Sequence, residues 1–529
     1  MRLFLKILPF LLFHLSTFAQ EAKRGQMWTM GYFPAVQWNF KETIKVDTFA
    51  NKIQILPYPL ISYGGSNICD TNSQLVLSCN GFILYDNKGL GIRGWEGVNS
   101  PLGSKLQEYY GNDGFWNQMS LILPKKNNQY YVFTTGMSDG AYDDWKVTQT
   151  EFRFDVLTYH VVDMDANHGQ GEVVEKNKIL MQDAYLSHNR MSAVRHANGR
   201  DWWLVKPHRN EQRFYLFLVQ PDTIFGPYEQ VVPFSMDSIP IQWENYGIQG
   251  QLGFSPNGEW MASTEAAYQG AFVYHFDRCD GTLQPYHFFS TPHDTCYPSI
   301  CDYSSGIAFS PNSQFLYCVK SLNIWQADLS DTLSPPVHLS HIDTILSGFP
   351  WYDMSYLAPN GKVYIGNTVG GRSMCFIDSP DNKGFACHLR SRGNGAFNQP
   401  YTYLMVPPNM PHYTLGAAKG SACDTIRPAI AALPQQNPII VVPDAITANG
   451  DGLNDGWHIL NLSALEQAGL EVYEVMVFNR WGQAVFKSKQ NNFNWQASGY
   501  ASDTYMYLIR YRQANGQTGV QKGTVTVLR

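Results

Sequence analysis

Residues Gly253-Phe254-Ser255-Pro256-Asn257-Gly258-Glu259-Trp260-Met261-Ala262 read as two apolar strands joined by a tight turn. Proline presets φ at the first corner of such a turn, and asparagine or glycine tolerates the positive φ of the next. The pattern returns as Ala308-Phe309-Ser310-Pro311-Asn312-Ser313-Gln314-Phe315-Leu316-Tyr317 and as Tyr356-Leu357-Ala358-Pro359-Asn360-Gly361-Lys362-Val363-Tyr364-Ile365. Looser copies are Ala193–Trp203, Leu121–Phe133 and the turn Asp70-Thr71-Asn72-Ser73. In two of them a serine, Ser313 or Ser73, stands where the turn glycine would be. Successive turns lie roughly 50–70 residues apart, a repeat period with room for loop insertions.

Each copy is followed by further strand-like runs such as Ala271–Phe276 and Leu322–Ala327. A single sheet of this kind cannot bury both of its faces, whereas sheets stacked radially around an axis can. The expectation is an all-β chain whose body is a β-propeller of about seven blades, counting Met27-Trp28-Thr29-Met30 into another blade. Six and eight are the rival counts, because Tyr401–Leu415 could complete the first blade. Trp202, Trp203, Trp260 and Trp325 occupy strand positions and are expected in blade cores rather than on a sugar-binding face.

Composition agrees with strands and turns. Of 529 residues 16% are charged and 14% aromatic, with 44 Gly and 29 Pro, against about 25% charged in an average globular protein. The net charge of −6 speaks against a nucleic-acid surface, which needs a basic stripe. The nine cysteines are an odd number and form no Cys-x-x-Cys, so neither a disulfide framework nor a zinc knuckle is expected. The near pairs are Cys296 with Cys301 and Cys375 with Cys387, and spacing does not choose between them.

The first residues have the layout of a secretory signal. Met1-Arg2-Leu3-Phe4-Leu5-Lys6 is a short basic segment, Ile7–Phe13 is apolar, and Thr17-Phe18-Ala19 offers small residues before a cleavage site. Residues 1–19 are read as a signal peptide, 20–415 as the propeller, 416–440 as a proline-containing linker and 441–529 as a small immunoglobulin-like β-sandwich. No later stretch approaches about 18 consecutive apolar residues, so no integral membrane span is expected.

The last segment carries a recognisable succession. Pro443 is followed by Asn449-Gly450-Asp451-Gly452-Leu453-Asn454-Asp455, then the strand Val472–Phe478, the turn Asn479-Arg480-Trp481-Gly482, and a closing run from Lys522-Gly523 to Arg529. This resembles the gliding-motility-associated C-terminal domain, the type B sorting domain of the type IX secretion system of Bacteroidetes. The repeats ahead of it resemble the WD-repeat-like propellers found in front of that domain. The resemblance implies export through the periplasm, the type IX secretion machinery as a partner, and a secreted or outer-membrane-surface location. One departure stands out: Trp495-Gln496-Ala497 replaces the family's usual Trp-Asp-Gly, which leaves the geometry of that turn open.

Three catalytic or metal signals are weak. Gly136-Met137-Ser138-Asp139-Gly140 has the spacing of a nucleophile elbow, but the elbow needs a following helix. Ala141–Trp145 lacks helical periodicity, so a polar loop is expected and Ser138 is not taken as a nucleophile. Gly89-Leu90-Gly91-Ile92-Arg93-Gly94 matches a dinucleotide fingerprint without a helix to receive a phosphate. Asn449–Asp455 gathers oxygen donors that could hold Ca²⁺, yet lacks the full ligand spacing, and its bland reading is a hydrogen-bonded turn. Fourteen histidines form no His-Glu-x-x-His. Neither a metal nor a cofactor is expected.

The leading functional expectation is a non-enzymatic exported propeller that binds a protein or a glycan. The alternative is a metal-dependent propeller enzyme, lactonase- or lyase-like, which would need Asp, Glu, Asn or His converging at the channel mouth.

Overall fold

In the computed structural model each repeated turn closes an antiparallel strand pair. The structure describes residues 22–529 apart from 32–34, 41–43, 49–60, 62, 100–103, 111–113, 115, 149–152, 210–211, 235–249, 266–267, 292–303, 342–350, 368–372, 392–396, 399–404, 425–439, 450–454, 463–464, 466–468, 514–515 and 517. The expected signal peptide and the pair Cys296 with Cys301 lie outside these residues. At the first turn the Ser255 amide donates to Trp260 O (2.9 Å) and the Gly258 amide to Ser255 O (2.8 Å). The corner residue takes φ +75° at Gly258 and +77° at Gly361. The serine copies hold the same left-handed corner, at +62° for Ser313 and +67° for Ser73. Ser313 adds something glycine could not: its Oγ accepts from the Asn257 amide of the neighbouring turn (3.1 Å).

Seven sheets follow one another among the described residues. Blades 1 and 2 are three-stranded, Met27–Met30, Val36–Asn39, Lys45–Thr48 and Ser66–Cys69, Leu75–Cys79, Leu84–Asp86. Blades 3 to 6 are four-stranded antiparallel meanders spanning Ser120–Met181, Ser192–Val231, Leu252–Ser290 and Ser304–His341. Blade 7 runs from Tyr352 to Asn398.

The ring closes through apolar contacts between successive blades. Met27 and Ile61 meet Cys69 and Leu75 between blades 1 and 2, and one continuous core joins blades 2, 3 and 4. Phe214 and Leu216 pack on Phe272 and Tyr274 between blades 4 and 5. Similar clusters join blades 5 and 6, then 6 and 7. Trp28 and Trp38 of blade 1 set their rings 5.8 Å from Tyr364 of blade 7, which completes the circle. Trp202, Trp203 and Trp325 are buried in blades, while half-buried Trp260 stacks on His275 at 3.9 Å.

Of Tyr401–Leu415, residues 401–404 lie outside the described residues, and Met405–Leu415 forms no blade strand. Pro407, Pro408 and Pro411 lack the amide a ladder requires, and the segment passes instead among the first strands of the blades. Beyond it, Cys423 is bonded to Cys279 in a turn of blade 5. The bridge joins cysteines 144 residues apart, not the near pair Cys375 with Cys387. Cys387 remains a buried thiol beside the Tyr317 hydroxyl.

The C-terminal unit is a five-stranded sheet in the order 445–447, 518–528, 503–512, 471–478, 484–488. Val475, Val477, Tyr507, Ile509, Val525 and Val527 face inward. Trp457 and Trp495, paired to each other by two backbone hydrogen bonds of 2.9 Å, cover that face and make the unit sandwich-like.

Candidate functional site

Propeller function concentrates at the central channel, because every blade brings its first strand there. In this chain the channel is filled. Asn409 sits at its hub, 3% exposed. Its amide nitrogen donates to Ser120 O (3.0 Å) and Met191 O (2.9 Å), and its backbone N–H to Gly65 O (2.7 Å). Its Oδ1 accepts from Gln118 Nε2 (3.2 Å) and the Tyr356 hydroxyl (3.3 Å). One side chain and its own backbone amide thereby tie blades 2, 3, 4 and 7.

Two glutamines extend the network. Gln118 exchanges hydrogen bonds with the Leu252 backbone, donating to its O (2.7 Å) and accepting from its N (2.9 Å). Gln251 accepts from the amides of Ile307 (2.9 Å) and Ser355 (3.1 Å) and donates to Ser355 O (2.8 Å). Buried amides of this kind imitate a strand partner, so backbone groups facing the axis stay satisfied without water. Further along, the Tyr413 hydroxyl donates to Ile122 O (2.7 Å) and His412 Nε2 meets Phe254 O (3.1 Å). The segment leaves past the turns: Arg278 donates to Gly416 O, and the Ala418 amide to Ala197 O (2.8 Å). Gly258 is required here, since a Cβ would lie 2.6 Å from Arg278 Cδ and 2.7 Å from Leu415.

The filling is one-sided. A cavity of about 280 Å³ remains between the segment and blades 5 to 7, on the side of the Pro-Asn turns. Phe254, Phe309, Leu357 and Met410 form its walls, with Pro256 and Pro311 at the rim. No Asp or Glu is among its described lining residues, and burial holds its imidazole, His412, below the usual histidine range.

Several buried ionisable groups lie outside the lining of that cavity. Arg190 pairs with Glu265 at 3.1 Å, both nearly fully buried. The Lys206 amine donates to Asn189 O (2.8 Å), and burial lowers its pKa well below the usual lysine value. Asp353 accepts at Oδ1 from Asn117 Nδ2 (3.1 Å) and from the Met354 amide (2.8 Å), while its buried Oδ2 has no hydrogen-bond partner among the described residues. Burial pushes its carboxyl up to about 7. Among the described residues no three His, Cys, Asp or Glu side chains are grouped as a metal site.

Ser138 corrects one expectation. A helix, Asp139–Thr148, does follow it. Only Ala141 of that helix is buried, which is why its apolar periodicity is faint. Ser138 caps it: Oγ accepts from the Ala141 amide (3.1 Å) and donates to Asp155 Oδ2 (2.5 Å). No imidazole is bonded to that hydroxyl among the described residues; His458, lining the same cleft, faces Asp183 at 3.8 Å. Gly89–Gly94 forms a turn and bridges without a helix.

The sorting-motif residues fall on turns and a strand of the C-terminal unit. Pro443 O accepts from Trp457 Nε1 (2.9 Å). Asn479 Oδ1 accepts from the amides of Trp481 and Gln483 (3.0 Å each), and Gly482 takes φ +75°. Arg480 bonds Asp503 (2.8 Å), and Trp481 is 78% exposed at the turn. Gly523 lies under Tyr507, where a Cβ would come within 2.4 Å of the hydroxyl; Lys522 beside it is exposed. Asn449 and Asp455 flank Gly450, Asp451, Gly452, Leu453 and Asn454, which lie outside the described residues, as does their calcium question. Ala497, in the departing turn, adopts φ +50°. Asn409, Gln118 and Gln251 escape a reading by sequence, since no repeat marks them.

Comparison with known proteins bears on the C-terminal unit first. The family model described as the CHU_C type IX secretion signal domain matches residues 440–527. The chain thus ends in a type IX secretion signal domain behind a β-propeller, which implies export and a cell-surface or secreted location. No helix among the described residues is long and apolar enough to cross a membrane. No curated protein matches the chain. Among solved structures, a candidate 6-phosphogluconolactonase of Bacteroides fragilis is 13% identical, covering 73% of this chain and 96% of that one, with a TM-score of 0.39. The β-propeller domain of a Myceliophteria thermophila protein is 13% identical over 65% and 90%, with a TM-score of 0.36. A periplasmic gluconolactonase of Pseudomonas aeruginosa is 12% identical over 78% and 86%, with a TM-score of 0.33. Likenesses this distant carry nothing about activity.

Proposed function

We propose that this exported propeller is a binding module rather than an enzyme, and that its partner is a protein that seats an apolar side chain in the half-open channel. The observation that supports the reading is the channel itself. The chain's own Met405–Leu415 segment occupies its axis and leaves a cavity of about 280 Å³ with Phe254, Phe309, Leu357 and Met410 in its walls, Gln251, Ser355 and His412 among its polar lining, and no carboxylate among the described lining residues. A metal-dependent hydrolase would need converging acidic groups at that place. An apolar pocket with a rigid proline rim instead suits a side-chain anchor of a partner.

The test is selection of ligands by the purified full chain from a displayed peptide library and from a glycan array in parallel. Selected peptides should share an apolar or aromatic anchor and lose roughly tenfold or more in affinity in Leu357→Glu, which puts a charge in the pocket. Metal-dependent turnover of a lactone or polysaccharide by the wild type would overturn the reading. Glycan binding indifferent to Leu357→Glu would replace the partner class.

A further inference from the structure

We propose that the outer face of the C-terminal sheet is the surface by which this chain engages the secretion machinery, and that its occupant is a protein surface with an apolar centre and a carboxylate rim. The proposal concerns export and stands apart from the propeller's ligand. Met476 lies opposite Leu508 and Phe478 opposite Met506 on the two central strands. Side chains alternate along a strand, and the inward set is Val475, Val477, Tyr507 and Ile509, so these four point outward. Directly opposed residues on one face are about 5 Å apart at Cβ, which makes Met476, Phe478, Met506 and Leu508 one continuous block. Met506 is 48% exposed and Met476, Phe478 and Leu508 are half-buried, while Val520, 49% exposed on the last strand, lies opposite Arg510. An antiparallel sheet with one solvated face is normally polar on that face. A grouped apolar patch there marks an interaction site.

The rim supplies the sign of the partner. Lys487 is opposite Met476, and Lys522 is opposite Leu508. Arg510 follows Leu508 by two residues on the same face. Glu474 is shared between Lys487 (2.8 Å) and Arg510 (3.3 Å), Glu471 serves Arg512 (3.3 Å), and Lys522 has no ion pair among the described residues. Four cations against two carboxylates leave this face positive on a chain of net charge −6. Complementary carboxylates on the partner would steer it and fix its register.

The test uses the full chain expressed in a host with a type IX system. Met506→Glu and Lys522→Glu are compared with Leu333→Glu, a propeller loop position that is 96% exposed. Export is read as the ratio of external to periplasmic protein, and folding as the thermal midpoint of each purified protein. Both sheet variants should lower the export ratio roughly tenfold or more, as loss of a central contact does, with unchanged midpoints and wild-type export of Leu333→Glu. Wild-type export of Lys522→Glu, whose exposed side chain supports no packing, overturns the proposal whatever Met506→Glu does to folding. Sedimentation of the purified chain with anionic lipid vesicles, lost in Met506→Glu, would overturn it in favour of a lipid occupant.

Discussion

At the scale of single residues, the informative positions are those where the side chain and its surroundings disagree. Ala497 is 1% exposed and held at φ +50°, a conformation that costs a non-glycine residue about 1–2 kcal/mol. Replacing it by glycine should raise stability by about 1 kcal/mol, measured as the denaturant midpoint of the C-terminal transition; an unchanged or lower midpoint would speak against that strain. Asp353 is a buried carboxyl raised to about 7 from an unfolded value near 4. The folded state therefore holds its proton more tightly. Its stabilising contribution is complete below about pH 4 and is lost as pH rises to about 7. Asp353→Asn should match the wild type near pH 4 and exceed it by about 2–4 kcal/mol near pH 8. A pH-independent difference would show that the carboxyl is not buried as described. Asn409 is the opposite case, satisfied on every side. Asn409→Ala strands two buried carbonyls, Ser120 O and Met191 O, and should cost about 2–4 kcal/mol, read by thermal unfolding.

Among elements, the turns were legible and the axis was not. Pro-Asn-Gly corners declare themselves because each is local: five or six residues carry both the φ requirement and the flanking strands. Even the eroded copies kept their corner, as Ser313 and Ser73 show. The segment Met405–Leu415 has no such local mark. Its partners, Ser120 and Met191, are 289 and 218 residues away, and nothing in a proline-rich run predicts them. The disulfide was illegible for the same reason, while the capped helix after Ser138 hid because it buries only Ala141. Closing a loop across 144 residues removes much unfolded-state entropy. Cys279→Ser with Cys423→Ser should therefore lower the unfolding free energy by about 3–5 kcal/mol. A change under about 1 kcal/mol would mean that the segment is held by its hydrogen bonds alone.

For the whole molecule, a ring whose axis is filled by its own chain is joined to a sheet that addresses export. The connection between Cys423 and Ile440 includes Pro428, Pro434 and Pro438, and its residues 425–439 lie outside the described residues. Brief digestion with a broad-specificity protease should cut there first and release a propeller that retains Cys423. The sorting role rests on the last strand, Thr518–Leu528. It pairs along its length with Asp503–Arg512 and in parallel with Ala445–Thr447, so its loss opens the sheet on both sides. The most direct measurement is the cellular location of the full chain beside a chain ending at Gln521, in a host with a type IX system. The full chain should reach the cell surface or the medium, and the shortened one should accumulate in the periplasm. Equal external amounts of the two would contradict the account.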